Sequence, residues 1–170
     1  MKFKVYLILL SFLLITINGQ SQTEKSVHFK NIIHAEAGGI GGYGSLNYER
    51  VVPLPGLFSI SGRVGLTTVR VYDFINRFNP DLLFPVTING FFGKDHKVHV
   101  GFGQLIANTV RANHTGGSPT RETKLHTHFA IGYRYQKADG RLILGLSYTP
   151  MIEFQENYRH WGALTVGVAF

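Results

Sequence analysis

His126 and His128 stand two residues apart, and His114 precedes them by a dozen positions. In an extended segment that spacing puts both imidazoles on one face, because side chains alternate with period two. Paired neutral imidazoles are the start of a metal site. No carboxylate is set beside them in sequence, so no metal ligand is assigned and they are read as polar rim residues. Ser147, Glu153 and His160 are the residue types of acyl hydrolysis, a hydroxyl nucleophile, an orienting carboxylate and a general base. No serine lies in a Gly-x-Ser-x-Gly elbow, and so no catalytic residue and no cofactor site is assigned. Glu36, Glu49, Arg63 and Arg134 each interrupt an otherwise apolar or small stretch. Charges in such settings require partners, and ion pairs among these four are expected, with the choice of partner left open. The alternative use of such charges is a gate or a narrow ion path. The chain has no cysteine, which excludes disulfides, thiolate metal sites and thiol nucleophiles.

The segments that must carry these side chains are strands. Residues 160–170 alternate to the last position: Leu164, Val166, Val168 and Phe170 share one face, and Ala163, Thr165, Gly167 and Ala169 the other. Reading backwards, the same alternation recurs at 31–39, 43–52, 57–69, 82–92, 98–108, 124–136 and 141–149, giving eight strands of the length that crosses a bilayer at a tilt. Turns rich in Gly, Pro and Asp at 52–56, 93–97 and 137–140 alternate with longer connections at 70–81, 109–122 and 150–159 and a glycine-rich link at 39–42. One face of the set is apolar or aromatic, including Tyr48, Ile60, Ile88, Val100, Ile131 and Leu144. The other is polar or tiny, including Asn47, Ser61, Thr87, His99, Gly103 and Gly132.

The ends agree with this pattern. Lys2 and Lys4 precede thirteen largely apolar residues, Val5 to Ile17, and a small polar run, Asn18-Gly19-Gln20-Ser21-Gln22. Thirteen residues rise only about 20 Å as a helix, short of the roughly 30 Å hydrocarbon core. The segment therefore reads as a cleavable signal peptide over residues 1–20, with one domain over 21–170. No later stretch is long and apolar enough for a helical span, so a mature chain that crosses a membrane must do so as a closed barrel. The expected fold is all-β, an eight-stranded antiparallel up-and-down transmembrane barrel. An even strand count with short turns on one rim and longer loops on the other is the pattern of the bacterial outer membrane, with both termini periplasmic. The net charge is +7, two units of which come from Lys2 and Lys4. The basic residues are scattered, which argues against nucleic acid. Arg70, Arg77, Arg111, Arg121 and Lys124 fall at the outer rim, where they could meet phosphates of lipopolysaccharide. The connection 109–122, with Arg111, Asn113-His114-Thr115 and Arg121, is expected to be a polar loop or a ligand-contacting one.

Ser45-Leu46-Asn47-Tyr48-Glu49-Arg50, Phe92-Gly93-Lys94-Asp95-His96-Lys97, Gly132-Tyr133-Arg134-Tyr135-Gln136 and the closing Trp161-Gly162 resemble the small outer-membrane β-barrel proteins of Bacteroidota-type bacteria. The resemblance implies a fold and a compartment and brings no activity. The reading is a side-chain-filled barrel with a structural or interaction role at the cell surface. Its expected partners are outer-membrane lipid, lipopolysaccharide and the assembly machinery, which would read Leu164, Val166, Val168 and Phe170; a monomer is expected. The competing readings are an outer-membrane enzyme acting on lipid A and, since eight strands leave little open lumen, a narrow small-solute pore.

Overall fold

The structure, a computed structural model, describes residues 29–112, 119–137, 139–152 and 160–170. The expected signal peptide, Asn113 to Thr115 and Glu153 lie outside the described residues. Strands β1 (Asn31–Gly38), β2 (Gly44–Pro53), β3 (Phe58–Leu66), β4 (Leu82–Phe92), β5 (His96–Arg111), β6 (Thr120–Tyr135), β7 (Leu142–Tyr148), β8 (Met151–Ile152) and β9 (Gly162–Ala169) form one antiparallel sheet. β7 and β8 pair with β6 in a single register, Ile131↔Tyr148 and Thr127↔Ile152, and so make one stave. Pro150, which lies between them, has no N–H to give the ladder, and its carbonyl still accepts from Phe129 N at 3.2 Å. Eight staves result, and each neighbours the next in chain order.

Closure is made by the two ends of the chain. β1 pairs with β9 from Ile32↔Ala169 to Gly38↔Ala163. Beyond the ladder, Asn31 N donates to Phe170 O at 3.1 Å and Phe170 N donates to Asn31 O at 2.8 Å. No sheet edge is left open, as a barrel in lipid requires.

Faces follow the period of two. The outward residues of the staves are mostly large, apolar and exposed, from Ile33 and Leu46 round to Leu144 and Val166. The inward residues are buried and mostly polar, among them His34, Asn47, Ser61, Thr87, Asn89 and His128. A water-soluble domain places these the other way round. The apolar belt is bounded by aromatic contacts. Phe58 with Phe92, and His96 with Tyr133 and Tyr135, lie at the short-turn rim, while Tyr43 with Trp161 and Tyr148 with His160 lie at the loop rim. Such girdles mark the two interfaces of a membrane.

Two connections differ from expectation. The segment 109–122, read from composition as a loop, is strand at both of its described ends: β5 runs on to Arg111 and β6 begins at Thr120, so that Arg111 and Arg121 are ladder residues. Loop-like composition fails as a guide here because a ribbon above the membrane has no lipid to face and so keeps no strict alternation. The connection 70–81 likewise continues the β3–β4 hairpin in unchanged register, from Val64↔Val86 through Thr67↔Leu83 to Tyr72↔Phe78. The third strand is correspondingly shorter than its alternation suggests, ending at Leu66, and the last one begins at Gly162, not at His160.

Candidate functional site

The lumen holds a polar layer between two apolar ones. At the short-turn end Ile32, Val51, Ile143 and Ala169 form a buried cluster, with Phe29 packed against it. At the loop end Ile40, Leu83, Leu105 and Ala107 form a second. Ile40 reaches this position because the chain turns inward at Gly38-Gly39-Ile40-Gly41-Gly42, with φ of 75° at Gly38, 72° at Gly39 and 76° at Gly42. Those angles are costly for any residue with a Cβ. The glycine-rich link is therefore a device for inserting a plug, and Ile40 sits in its three-residue helical turn, Gly39–Gly41.

Between the caps, Glu49 collects the central contacts. Arg134 Nη2 donates to its Oε2 at 2.7 Å and Ser61 Oγ donates to its Oε1 at 2.5 Å, while His34 Nε2 lies 3.6 Å from Oε2. β2 and β6 stand on opposite sides of the eight-stave ring, so the Glu49–Arg134 pair crosses the full width of the lumen. Arg63 Nη1 donates to Glu36 Oε2 at 2.7 Å, linking β3 to β1 across the intervening β2. The guanidinium of Arg134 also lies 4.4 Å over the ring of Phe91, a favourable cation–π position. Thr87 Oγ1 lies within 3.1 Å of His128 Nε2, and Lys97 Nζ donates to Gln136 Oε1 at 3.1 Å. Gly103 makes room for this packing, since a Cβ there would stand 2.7 Å from His128 Nε2. A cavity of about 10 Å³ lies among Glu36, Arg63, His99, Arg134 and Ser147, room for about one water molecule.

His34, Lys97 and Gln136 belong to this layer and were not singled out from the sequence. The signal was available: His34 shares parity with Glu36, and Lys97 with His99. The histidines expected at the rim are placed otherwise. His128 is fully buried in the lumen rather than at an edge, because its register partner, Gly103, lies well inside β5. His126 shares its face and is half-buried beside Leu105. Among the described residues no three His, Asp or Glu side chains converge as a metal would require. Ser147 faces the lumen, whereas the adjacent Tyr148 faces outward and is hydrogen-bonded to His160. Alternation thus puts Ser147 and His160 on opposite sides of the wall, and no hydrolytic constellation forms from them. Leu164, Val166, Val168 and Phe170 are exposed along the outer face of the closing strand.

Outside the membrane span, the β3–β4 and β5–β6 hairpins are tied into one raised wall. Arg121 donates to Asn79 Oδ1 and, at 3.1 Å, to the Pro80 carbonyl. Val110 N donates to Asp81 Oδ1 at 2.7 Å. The tip of the β3–β4 hairpin turns at Asn76, the one described non-glycine residue with positive φ, 58°, a conformation asparagine tolerates. Asp73 clamps that turn. Its Oδ1 accepts from Arg77 N at 2.9 Å and from Ile75 N at 3.0 Å. The Arg77 backbone N–H, followed by that of Ile75, holds the Asp73 carboxyl below the usual carboxylate range. A depressed carboxylate stabilises the fold above its unfolded pKa and ceases to do so as pH falls through the folded value. Asp73→Asn should therefore lower the protection of the Ile75 and Arg77 amides, read as exchange relative to the intrinsic rate at the same pH, and acidification should lower that protection likewise in the wild type. Unchanged exchange in the variant would remove the clamp from the account.

A closed eight-stave barrel with apolar residues facing out, polar residues facing in and aromatic girdles at both rims defines the chain as a β-barrel membrane protein of the bacterial outer-membrane type. No protein-family model matches the sequence, and no curated protein matches it. Solved structures share the fold. The N-terminal β-barrel domain of Pseudomonas aeruginosa OprF is 15% identical, with a TM-score of 0.54 over 84% of this chain and 100% of that one. The Yersinia pestis outer membrane protein Ail is 12% identical, with a TM-score of 0.52 over 84% of this chain and 100% of that one. Neisserial surface protein A is 14% identical, with a TM-score of 0.53 over 86% of this chain and 98% of that one.

Proposed function

We propose that this protein is a sealed structural barrel of the outer membrane whose role is to anchor and display its two raised hairpins at the cell surface. The observation that carries the reading is the lumen: a salt bridge across its full width, between Glu49 and Arg134, lies between two apolar caps. A pore has no use for an apolar layer at each mouth. An enzyme acting on lipid A needs a nucleophile and base that meet at the lipid-facing rim, and the placement of Ser147 and His160 on opposite faces lends that reading no support. Under the same proposal residues 1–20 are removed on export and the mature barrel is a monomer of the Bacteroidota kind. The outward row Leu164, Val166, Val168 and Phe170 then serves as the signal for the assembly machinery.

Planar-bilayer recording tests the central statement. The purified protein should add no stepwise conductance at either polarity. Reproducible unitary steps from the wild type would overturn the sealed-barrel reading in favour of a pore.

A further inference from the structure

The tip of the β3–β4 hairpin is held by hydrogen bonds from Ile75 and Arg77 to Asp73, yet it is covered with apolar side chains that contact little. Tyr72 is 54%, Phe74 54%, Ile75 53% and Phe78 74% exposed. Tyr72 and Phe78 pair edge to face across the ribbon, the Arg70 guanidinium lies 4.3 Å over the Phe74 ring, and the Asp73 clamp fixes the turn beneath them. A contiguous exposed apolar patch held in one conformation marks a binding surface. Its charges are of one useful sign. The Asp73 carboxylate is engaged by backbone N–H groups, and the buried Asp81 lies 3.9 Å from Arg70. Arg70, Arg77 and Arg121 all keep exposed edges, Arg121 while donating to Asn79 and Pro80.

Height above the membrane selects the occupant. Barrel strands rise about 3.3 Å per residue along a tilt of 35–45°. Phe58, in the short-turn girdle, and Leu66 then lie about 20 Å apart along the membrane normal, and Tyr72 about 15 Å higher still. Measured against an apolar belt about 25 Å tall, the Tyr72↔Phe78 pair stands about 10 Å above the hydrocarbon, at the level of head groups and not of acyl chains. We propose that this tip is a docking site for the head group of a phosphorylated glycolipid of the outer leaflet, with Arg77 on its phosphate, flanked by the exposed edges of Arg70 and Arg121, and Tyr72, Phe74 and Phe78 against its sugar rings. The proposal rests on the membrane reading above and names the ligand that the displayed hairpin takes.

Trp161 is the chain's one tryptophan and reports on the loop-rim girdle, which makes the test separable. Phe74→Trp in a Trp161→Phe background, with Ile75→Trp as a second reporter, would be studied as the full mature barrel in nanodiscs. The discs would contain phosphatidylcholine alone, or with lipid A, or with dephosphorylated lipid A. With lipid A the tip tryptophan should shift to the blue and lose acrylamide quenching. Dephosphorylation, free inorganic phosphate in place of lipid A, or the added change Arg77→Gln should abolish the response. If both tip reporters remain equally quenched in all three discs while wild-type Trp161 is shielded, the docking proposal is wrong and the patch faces solvent or a protein. If Trp161 is unshielded as well, the membrane reading itself fails.

Discussion

Arg134→Ala should destabilise the folded barrel by about 3–5 kcal/mol, the usual effect of removing one partner from a buried ion pair. Glu49 is fully buried, and with Arg134 gone its carboxylate keeps only the Ser61 hydroxyl and a His34 nitrogen at 3.6 Å. The cost is that of an uncompensated charge in a closed lumen, which is larger than the worth of the pair itself. A second substitution that removes the charge, Glu49→Gln, should therefore recover much of the loss. The double-mutant cycle should show a coupling well above the few tenths of a kcal/mol found for independent sites. Guanidinium midpoints of the refolded barrel in lipid vesicles, with the shift in gel mobility between heated and unheated samples as a second reading, would supply the numbers. A single-variant effect under about 1 kcal/mol would mean that the pair behaves as a hydrated one and that water fills the lumen.

Ile88→Arg should be nearly as damaging, by about 2–4 kcal/mol, for an unrelated reason. Ile88 is 69% exposed at the middle of β4, register partner of Gly62 and Phe102. On a water-facing surface such a change typically lies within about 0.5 kcal/mol. At the mid-plane of a bilayer the guanidinium must be dehydrated or reach for an interface that is far away. The same vesicle refolding experiment separates the two cases. A neutral outcome would show that this face is not in hydrocarbon, whatever the polarity of the lumen.

Much of the frame is legible in the chain before any coordinates. Alternation locates the strands to within a few residues at 82–92, where the reading and β4 coincide, and at 31–39, which ends one residue beyond β1. It does so because a wall with lipid on one side and a polar lumen on the other imposes strict period two on every crossing segment. Legibility stops where that double constraint stops. Above the membrane no lipid bounds either face of a hairpin, so β5 and β6 extend past the alternating stretch without a strict pattern to announce them. The glycine run around Ile40 reads as a plain link for a similar reason. Its purpose is a backbone path, and composition says that such a path is allowed without saying where it leads. His128 shows a third limit. Spacing placed it on the same face as His126, and depth along the strand was decided by the pairing with Gly103.

What the sequence alone determined is thus the count of strands, their parity and the inside-out polarity that makes the chain a membrane barrel. These are consequences of local periodicity, and any segment carries them by itself. Which groups meet was decided only by the tertiary structure. Glu49 and Arg63 are cross-strand neighbours in register, yet each takes its carboxylate or guanidinium partner elsewhere, Arg134 and Glu36. Closure of the ring sets β6 opposite β2 and brings together two residues 85 positions apart, a distance no periodicity spans. The sealed lumen and the apolar, arginine-flanked tip of the outer hairpin both come from that closure and the register it fixes, since only a complete circle of paired strands has an inside to fill and a rim to rise from.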